Sequence, residues 1–122
     1  MIKLSYCLRR LPELSRQEFQ DYWLNRHGPL VRGHAAVLKI KRYVQLHTLD
    51  TPLNDVLREG RGGPDAFDGV AELWWENVDR LEQVFNDPEA EEPMRELLED
   101  EKKFIDLANS PLWLAEERAI VG

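Results

Sequence analysis

The sequence is poor in cysteine and in positive charge, and it has no long apolar run. Its 122 residues include one cysteine, Cys7, and 16 Lys and Arg residues against 23 Asp and Glu residues, a formal net charge of −7. One cysteine forms neither an internal disulfide nor a cysteine-ligated zinc site, so folding must rely on a hydrophobic core. A chain of this length buries about two thirds of its unfolded surface, which is enough for one domain.

The shortage of basic residues argues against two classes of partner. Nucleic acids and anionic membrane surfaces are bound through clustered Lys and Arg, and here these residues are scattered among acids. No apolar run approaches the ~20 residues that a membrane span requires. Residues 1–10 alternate polar and apolar side chains, unlike a secretion signal. We therefore expect a cytoplasmic protein with neither nucleic acid nor membrane as a partner.

Alternation of apolar and polar residues predicts four strands. Residues 2–9 place Ile2 and every second residue after it on one face. Residues 39–48 and 69–76 alternate in the same way, and residues 113–121 form the last predicted strand.

Two helical regions separate these strands. Ser15 and Glu18 form an S-x-x-E capping box, which predicts that a helix begins at Ser15. The Gly28-Pro29 pair is expected to end it, with a second short helix after it. Residues 77–107 combine a capping asparagine, two X-Pro start signals and apolar residues at helical spacing.

The predicted order is strand, helix, strand, strand, helix, strand in a single domain of residues 1–122. This order is typical of an α+β protein with one sheet and helices on one face. The other face would carry Tyr, Trp and His beside Lys, Glu and Gln, so it contacts either water or a partner. Residues 48–68 hold clustered Pro and Gly around one or two helical turns, and we expect them to be the most mobile segment.

His27 is the strongest candidate for proton transfer. It lies four residues after Trp23, in the last turn of the predicted helix. The carboxyl end of a helix favours the imidazolium and burial beside Trp23 opposes it, so the two effects can hold the pKa near neutrality. The alternative is a structural histidine that hydrogen-bonds the free carbonyls at the helix end.

Three polar side chains share one side of the second predicted strand. Tyr43, Gln45 and His47 alternate with apolar residues there. They would line a pocket in which Tyr43 and Gln45 position a polar ligand and His47 exchanges a proton. An ordinary solvated strand face is the alternative, and the sequence leaves both interpretations open.

Glu72 and Trp74 share one side of the third predicted strand. A carboxylate beside an indole has its pKa raised by desolvation, which would suit it to a binding site. The alternative is a salt bridge across the sheet to Lys41 or Arg118.

Other features favour structural roles. His34 lies in the apolar stripe of the second helix and is predicted to be a core residue. Cys7 is predicted to be an inert core cysteine. The acidic stretch Glu89–Glu101 is predicted to be a solvated helix face. The three histidines follow no recurrent ligand spacing, so we expect no metal site.

The run from Ser15 to Leu30, SRQEFQDYWLNRHGPL, resembles the signature of the EthD-domain family, a branch of the dimeric α/β-barrel superfamily. Its F-x-x-Y-W-x-x-x-H-G-P-L portion is the most specific part. Residues 39–45, KIKRYVQ, and 68–75, DGVAELWW, are similar to the family's second and third strands. The likeness extends over nearly the whole chain.

The resemblance implies a ferredoxin-like βαββαβ protomer with a four-stranded antiparallel sheet. In this family two protomers join their sheets back to back as a dimeric α/β barrel, so a homodimer is expected to cover the bare face. The resemblance further implies a pocket on the concave side of each sheet, with His27 at its rim or wall. Residues 48–68 are a candidate cap for that pocket.

Superfamily relatives include muconolactone isomerase, small aromatic-polyketide cyclases and dehydratases, and cofactor-free monooxygenases. The resemblance does not select among these activities. A titratable imidazole beside aromatic walls favours, as a first hypothesis, an enzyme of the isomerase or lyase type that acts without metal or organic cofactor on a small cyclic, hydrophobic or aromatic metabolite. Two alternatives stay open: a non-catalytic binding protein of an oxygenase system, and a cofactor-free monooxygenase. His27 is the predicted catalytic residue, and the predicted substrate-binding residues are Trp23, Tyr43, Gln45, His47, Glu72 and Trp74.

Overall fold

The computed structural model describes all 122 residues and contains one four-stranded sheet. The strands lie in the order β2-β3-β1-β4, and every neighbouring pair is antiparallel. The predicted α+β class and single antiparallel sheet are therefore confirmed. The strands are β1 (Ile2–Leu8), β2 (Arg42–His47), β3 (Gly69–Trp75) and β4 (Leu112–Glu116).

The helices connect these strands, and α1, α4 and α5 begin at the start signals that the sequence predicts. Ser15 accepts a hydrogen bond from the Glu18 N–H, while the Glu18 carboxylate accepts one from the Ser15 N–H, which confirms the capping box. Asn77 caps α4 by accepting a hydrogen bond from the Arg80 N–H. The helices are α1 (Arg16–Tyr22), α2 (Gly28–His34), α3 (Pro52–Glu59), α4 (Val78–Phe85) and α5 (Pro88–Glu101), with a short 3-10 turn at Leu107–Asn109.

The prediction that Gly28 and Pro29 end the first helix is wrong. Gly28 keeps right-handed helical dihedrals, φ −52° and ψ −50°, and its N–H donates to the carbonyl of Trp23. The chain therefore passes from α1 into α2 through one π-helical turn, Trp23–His27. Pro29 is tolerated because it occupies the first turn of α2, where its missing N–H leaves no bond unmade. Such π-helical turns are frequent at functional sites.

Alternation along the strands sorts the side chains between two faces. The inner face packs against the helices and carries Leu8, Ala71 and Tyr43, which contact the buried Phe19 and Trp23. We call the opposite side the outer face, and its residues include Lys3, Ser5, Cys7, Arg42, Val44, Leu46, Val70, Glu72, Trp74 and Trp113.

Two residues that were predicted to lie in the core, Cys7 and His34, are only half-buried. Cys7 lies on the outer face and is half-buried, with burial raising the pKa of its thiol. His34 is also half-buried, and its Nε2 lies 3.1 Å from an Oε of Glu96. Helical spacing alone does not show which side of a short helix meets the core, and α2 turns His34 toward α5 at the surface.

Residues 48–68 contain α3, which is capped by Thr51. None of the residues of α3 is buried. The predicted one or two helical turns are confirmed. None of the helices in the structure combines the length and apolarity that crossing a bilayer would need.

Candidate active site

A cavity of about 390 Å³ lies between the inner face of the sheet and the helices. Its wall is mostly apolar and includes side chains from all four strands, α4 and α5. Ligand sites in proteins are concave and largely apolar, with a few polar groups that orient the ligand. The polar side chains that line this cavity are Tyr6, His27, Tyr43 and Glu101.

Asp100, near the end of α5, holds His27 in place. Nδ1 of His27 lies 2.8 Å from one Asp100 carboxylate oxygen, and the Tyr22 hydroxyl donates to the other at 2.6 Å. Burial opposes ionisation of Asp100, but the hydrogen bonds from Tyr22 and His27 outweigh it and hold the pKa of Asp100 below its usual range. An ionised carboxylate only accepts hydrogen bonds, so a neutral His27 carries its proton on Nδ1 and a lone pair on Nε2.

Burial lowers the pKa of His27 below its ordinary value, although the hydrogen bond and the charge of Asp100 oppose this. The side chain of His27 is 7% exposed, and its ring packs on Phe104 with centroids 5.1 Å apart. Because the helix continues past Gly28, there is no helix end at His27 to favour the imidazolium or to offer free carbonyls. The predicted helix-end effect on the pKa and the predicted hydrogen bond to free carbonyls both required a helix end at His27, so neither applies. The lowered pKa favours the neutral imidazole, with its proton on Nδ1 toward Asp100.

Glu101 is the one acidic side chain that lines the cavity. It accepts a hydrogen bond from the Tyr6 hydroxyl at 3.0 Å. Burial raises the pKa of Glu101 to about 6, and the neighbouring charge of Asp100 adds to this while the Tyr6 hydrogen bond opposes it. Burial likewise raises the pKa of the Tyr6 hydroxyl, and the Glu101 charge adds to that.

Asp100 and Glu101 were not among the predicted site residues, because the acidic stretch Glu89–Glu101 has the composition of a solvated helix face. The prediction of a solvated face is wrong for these two residues, since Glu101 contacts Tyr6 of β1 and Asp100 contacts Tyr22 and His27. A signal was present in the spacing: Met94, Leu97 and Glu101 follow one another at three and four residues, so Glu101 continues the inward stripe of α5. A carboxylate on an apolar stripe is a candidate site residue.

Trp23 forms part of the cavity wall, and Gln45 and His47 both contact it. The indole is 1% exposed and stacks on the His47 ring, with centroids 4.6 Å apart. The Gln45 amide donates to the Trp23 carbonyl at 2.9 Å and to the Tyr43 hydroxyl at 2.7 Å. The Gln45 amide thus fixes the Tyr43 hydroxyl oxygen at the cavity wall. Tyr43 also lines an adjoining open groove between α2 and β2 together with Gln45 and His47, which do not reach the cavity itself.

Glu72 and Trp74 lie on the outer face and do not line the cavity. The prediction that they share a pocket with His27 is therefore wrong. Neighbouring residues of β3 point to opposite faces, and the inner face is taken by the residues that alternate with them. Glu72 does form a salt bridge, but to Lys3 at 2.7 Å instead of to Lys41 or Arg118.

Trp74 is enclosed by charged side chains on that outer face. The Lys3 ammonium lies 5.0 Å and the Arg42 guanidinium 4.8 Å from the ring centroid, so both make cation–π contacts. The indole N–H donates to Glu117 at 3.1 Å. The chain itself thus covers this residue.

Residues 48–68 do not cap the cavity, because none of them lines it. They border instead an open polar cleft beside Arg9, Arg10 and Arg16. The structure groups no three His, Cys, Asp or Glu side chains in a way that could hold a metal ion.

The sheet order, the helices on one face and the cavity between them define a ferredoxin-like protomer. Similar solved structures include an EthD family protein of Bacillus halodurans, which is 22% identical with a TM-score of 0.62 over 97% of this chain and 99% of that one. A dimeric ferredoxin-like protein of unknown function from Bacteroides fragilis is 8% identical, with a TM-score of 0.60 over 95% of each chain.

A third similar structure is SnoaB of Streptomyces nogalater, a cofactor-independent oxygenase. It is 13% identical, with a TM-score of 0.51 over 98% of this chain and 95% of that one. At these identities the likeness establishes the fold. No functionally curated protein matches the sequence.

The EthD domain model matches residues 11–108. The chain therefore belongs to the EthD domain family, as the motif around His27 predicts.

Proposed function

We propose that this protein is a cofactor-independent enzyme that moves a proton on a small, largely apolar cyclic or aromatic metabolite. The observation that carries the proposal is the His27–Asp100 pair at the wall of an apolar cavity inside the protomer. A desolvated imidazole whose Nδ1–H is fixed by a carboxylate has Nε2 available as a general base, with the carboxylate ready to stabilise the imidazolium that forms.

The proton would pass from an acidic C–H or O–H of the substrate to Nε2 of His27, which leaves the electron pair on the substrate as an enolate or phenolate. The Tyr43 hydroxyl accepts its hydrogen bond from Gln45, so its own proton is free to be donated to that oxyanion. Return of the proton to another carbon gives isomerisation, and its delivery to a departing hydroxyl gives dehydration. Attack of the carbanion on a carbonyl carbon, followed by protonation of the resulting alkoxide, gives cyclisation.

We also propose a homodimer that joins through the outer face. Leu46 and Trp113 lie on that face and are 46% and 50% exposed. The Bacteroides fragilis relative is described as dimeric, which supports the same assembly here. Since the cavity lies within one protomer, the partner is expected to stabilise the sheet and not to complete the site.

Cofactor-free oxygenation is the second candidate function, and the likeness to SnoaB favours it. The same base would deprotonate a phenolic substrate, and the resulting carbanion would transfer an electron to dioxygen and combine with it as a peroxide. Loss of water from the peroxide would leave a quinone that carries one oxygen atom of dioxygen, while the other atom leaves in the water. Oxygen consumption with a phenolic substrate separates this reaction from proton transfer alone.

A substrate screen with matched histidine variants tests the proposal. Lactones, phenolic ketones and polyketide-like rings are incubated with wild type, His27→Ala and His34→Ala, and product is followed by chromatography. We expect His27→Ala to lower kcat by about a hundredfold or more, while His34→Ala, at the surface, keeps wild-type turnover. Equal turnover by wild type and His27→Ala would remove His27 from the mechanism, and thermal stabilisation by a ligand without product would indicate a binding protein.

Asp100→Asn tests the positioning role of Asp100. Its hydrogen bond and charge raise the pKa of His27, so their loss should lower that pKa further. We expect the acid limb of kcat/KM against pH to move to lower pH, together with a lower kcat because the amide no longer fixes the tautomer. A variant with reduced activity and an unmoved acid limb would contradict this role.

A further inference from the structure

The cavity contains no cationic side chain. The chain has 16 Lys and Arg residues, and none of them lines the cavity wall. The groups that do reach it are one carboxylate, two phenol hydroxyls and one imidazole. A carboxylate or phosphate ligand would therefore find no opposite charge to replace its lost hydration.

The one carboxylate in the wall is also uncompensated. Glu101 accepts from the Tyr6 hydroxyl, a neutral donor. Of its two charged neighbours along the chain, Asp100 is negative as well, and Lys102 pairs with Glu99 at 2.8 Å. Lys103 lies 3.6 Å from Asp100 and is 66% exposed, so solvent screens its charge. The low-dielectric walls strengthen the field of Glu101 inside the cavity.

We propose that Glu101 makes the cavity selective for uncharged ring compounds that carry a hydroxyl, carbonyl or amide group, and excludes their carboxylate analogues. This inference rests on the proposed function, since it takes the cavity as the ligand site. A neutral ring loses little hydration on entry, and its single oxygen can accept from Tyr43. A carboxylate of the same shape loses its hydration and is repelled by Glu101.

Two probes of one shape and different charge test this selectivity. Binding of 2-naphthamide and 2-naphthoate is measured by titration calorimetry at pH 8, where a group with a pKa of about 6 is ionised. We expect the amide to bind wild type at least about tenfold more tightly than the carboxylate. Glu101→Gln removes the charge and keeps the shape, so it should reduce this preference, mainly by tighter binding of 2-naphthoate.

The matched control is Glu99→Gln, two residues earlier on α5, where the side chain is 51% exposed. It makes the same chemical change away from the cavity and should leave the wild-type preference intact. Circular dichroism verifies that each variant is folded. If Glu101→Gln does not fold, the cation 2-naphthylmethylammonium is tested on wild type: Glu101 attracts an ammonium and repels a carboxylate, so the cation must bind more tightly than 2-naphthoate, and equal or weaker binding overturns the inference.

The outcomes separate this inference from the proposed function. Equal binding of amide and carboxylate to wild type, or an unchanged preference in folded Glu101→Gln, overturns the selectivity and leaves the cavity as a ligand site. Absence of binding by all three probes overturns the selectivity inference itself. The proposed function then stands or falls on the turnover comparison of wild type with His27→Ala.

Discussion

Glu101 destabilises the folded chain at neutral pH. Burial raises its pKa to about 6, from the 4.5 of an exposed glutamate. Between these values the folded state holds a proton that the unfolded state has released, so stability falls as the pH rises from 4.5 to 6 and stays lower above. The difference corresponds to about 2 kcal/mol. A buried carboxylate kept at such a cost is typical of a functional site.

Glu101→Gln should therefore be more stable than wild type. At pH 8 we expect its free energy of unfolding in urea to be higher by about 2 kcal/mol, because the amide has no charge to desolvate. The gap should close as the pH falls to 4.5, where wild-type Glu101 is protonated in the folded state. Glu99→Gln should show no comparable gap at either pH. A less stable Glu101→Gln at pH 8 would contradict the prediction.

Close packing between the π-helical turn and β3 depends on a glycine. A Cβ built on Gly69 would lie 2.4 Å from Cζ3 of Trp23 and 2.8 Å from the carbonyl oxygen of Leu46. Only a residue without a side chain lets the indole lie so close to the start of the strand. This contact fixes Trp23, and with it the turn that carries His27, against the sheet.

Gly69→Ala should destabilise the protein, because the new methyl group must displace either the indole or the neighbouring strand. We expect a loss of about 1–3 kcal/mol in urea denaturation. Gly33→Ala is the matched control, since a Cβ there meets nothing within 4 Å. Alanine favours the helix, so that variant should gain roughly 0.5–1 kcal/mol. Equal stability of Gly69→Ala and wild type would show that Trp23 is not held by this contact.

The proposed homodimer is testable at the scale of the whole molecule. We expect sedimentation of the wild type to give twice the chain mass of 14.3 kDa. Leu46→Glu places a charge on the outer face and should yield the monomer, since an unpaired buried charge disfavours association. Leu98→Glu makes the same change on α5, where the leucine is 45% exposed, and should remain dimeric. A wild-type mass of 14.3 kDa at micromolar concentration would contradict the dimer.

Features set by neighbouring residues could be predicted from the sequence. Strand alternation follows from backbone geometry, so it identified which side chains share a face of β1, β2 and β3. The capping boxes and N-caps are formed within four residues, and those at Ser15 and Asn77 lie where predicted. The motif around His27 was sufficient to recognise the EthD family.

Only the tertiary structure decided what surrounds His27. Asp100 lies 73 residues away along the chain, and its contact depends on how α5 docks against the π-helical turn. The tertiary structure also shows that Pro29 lies in the first turn of α2, so the expected stop signal at Gly28 and Pro29 does not end the helix. It also decides that the helices cover the face with Tyr43 and leave Glu72 outside, because alternation separates two faces without saying which is buried.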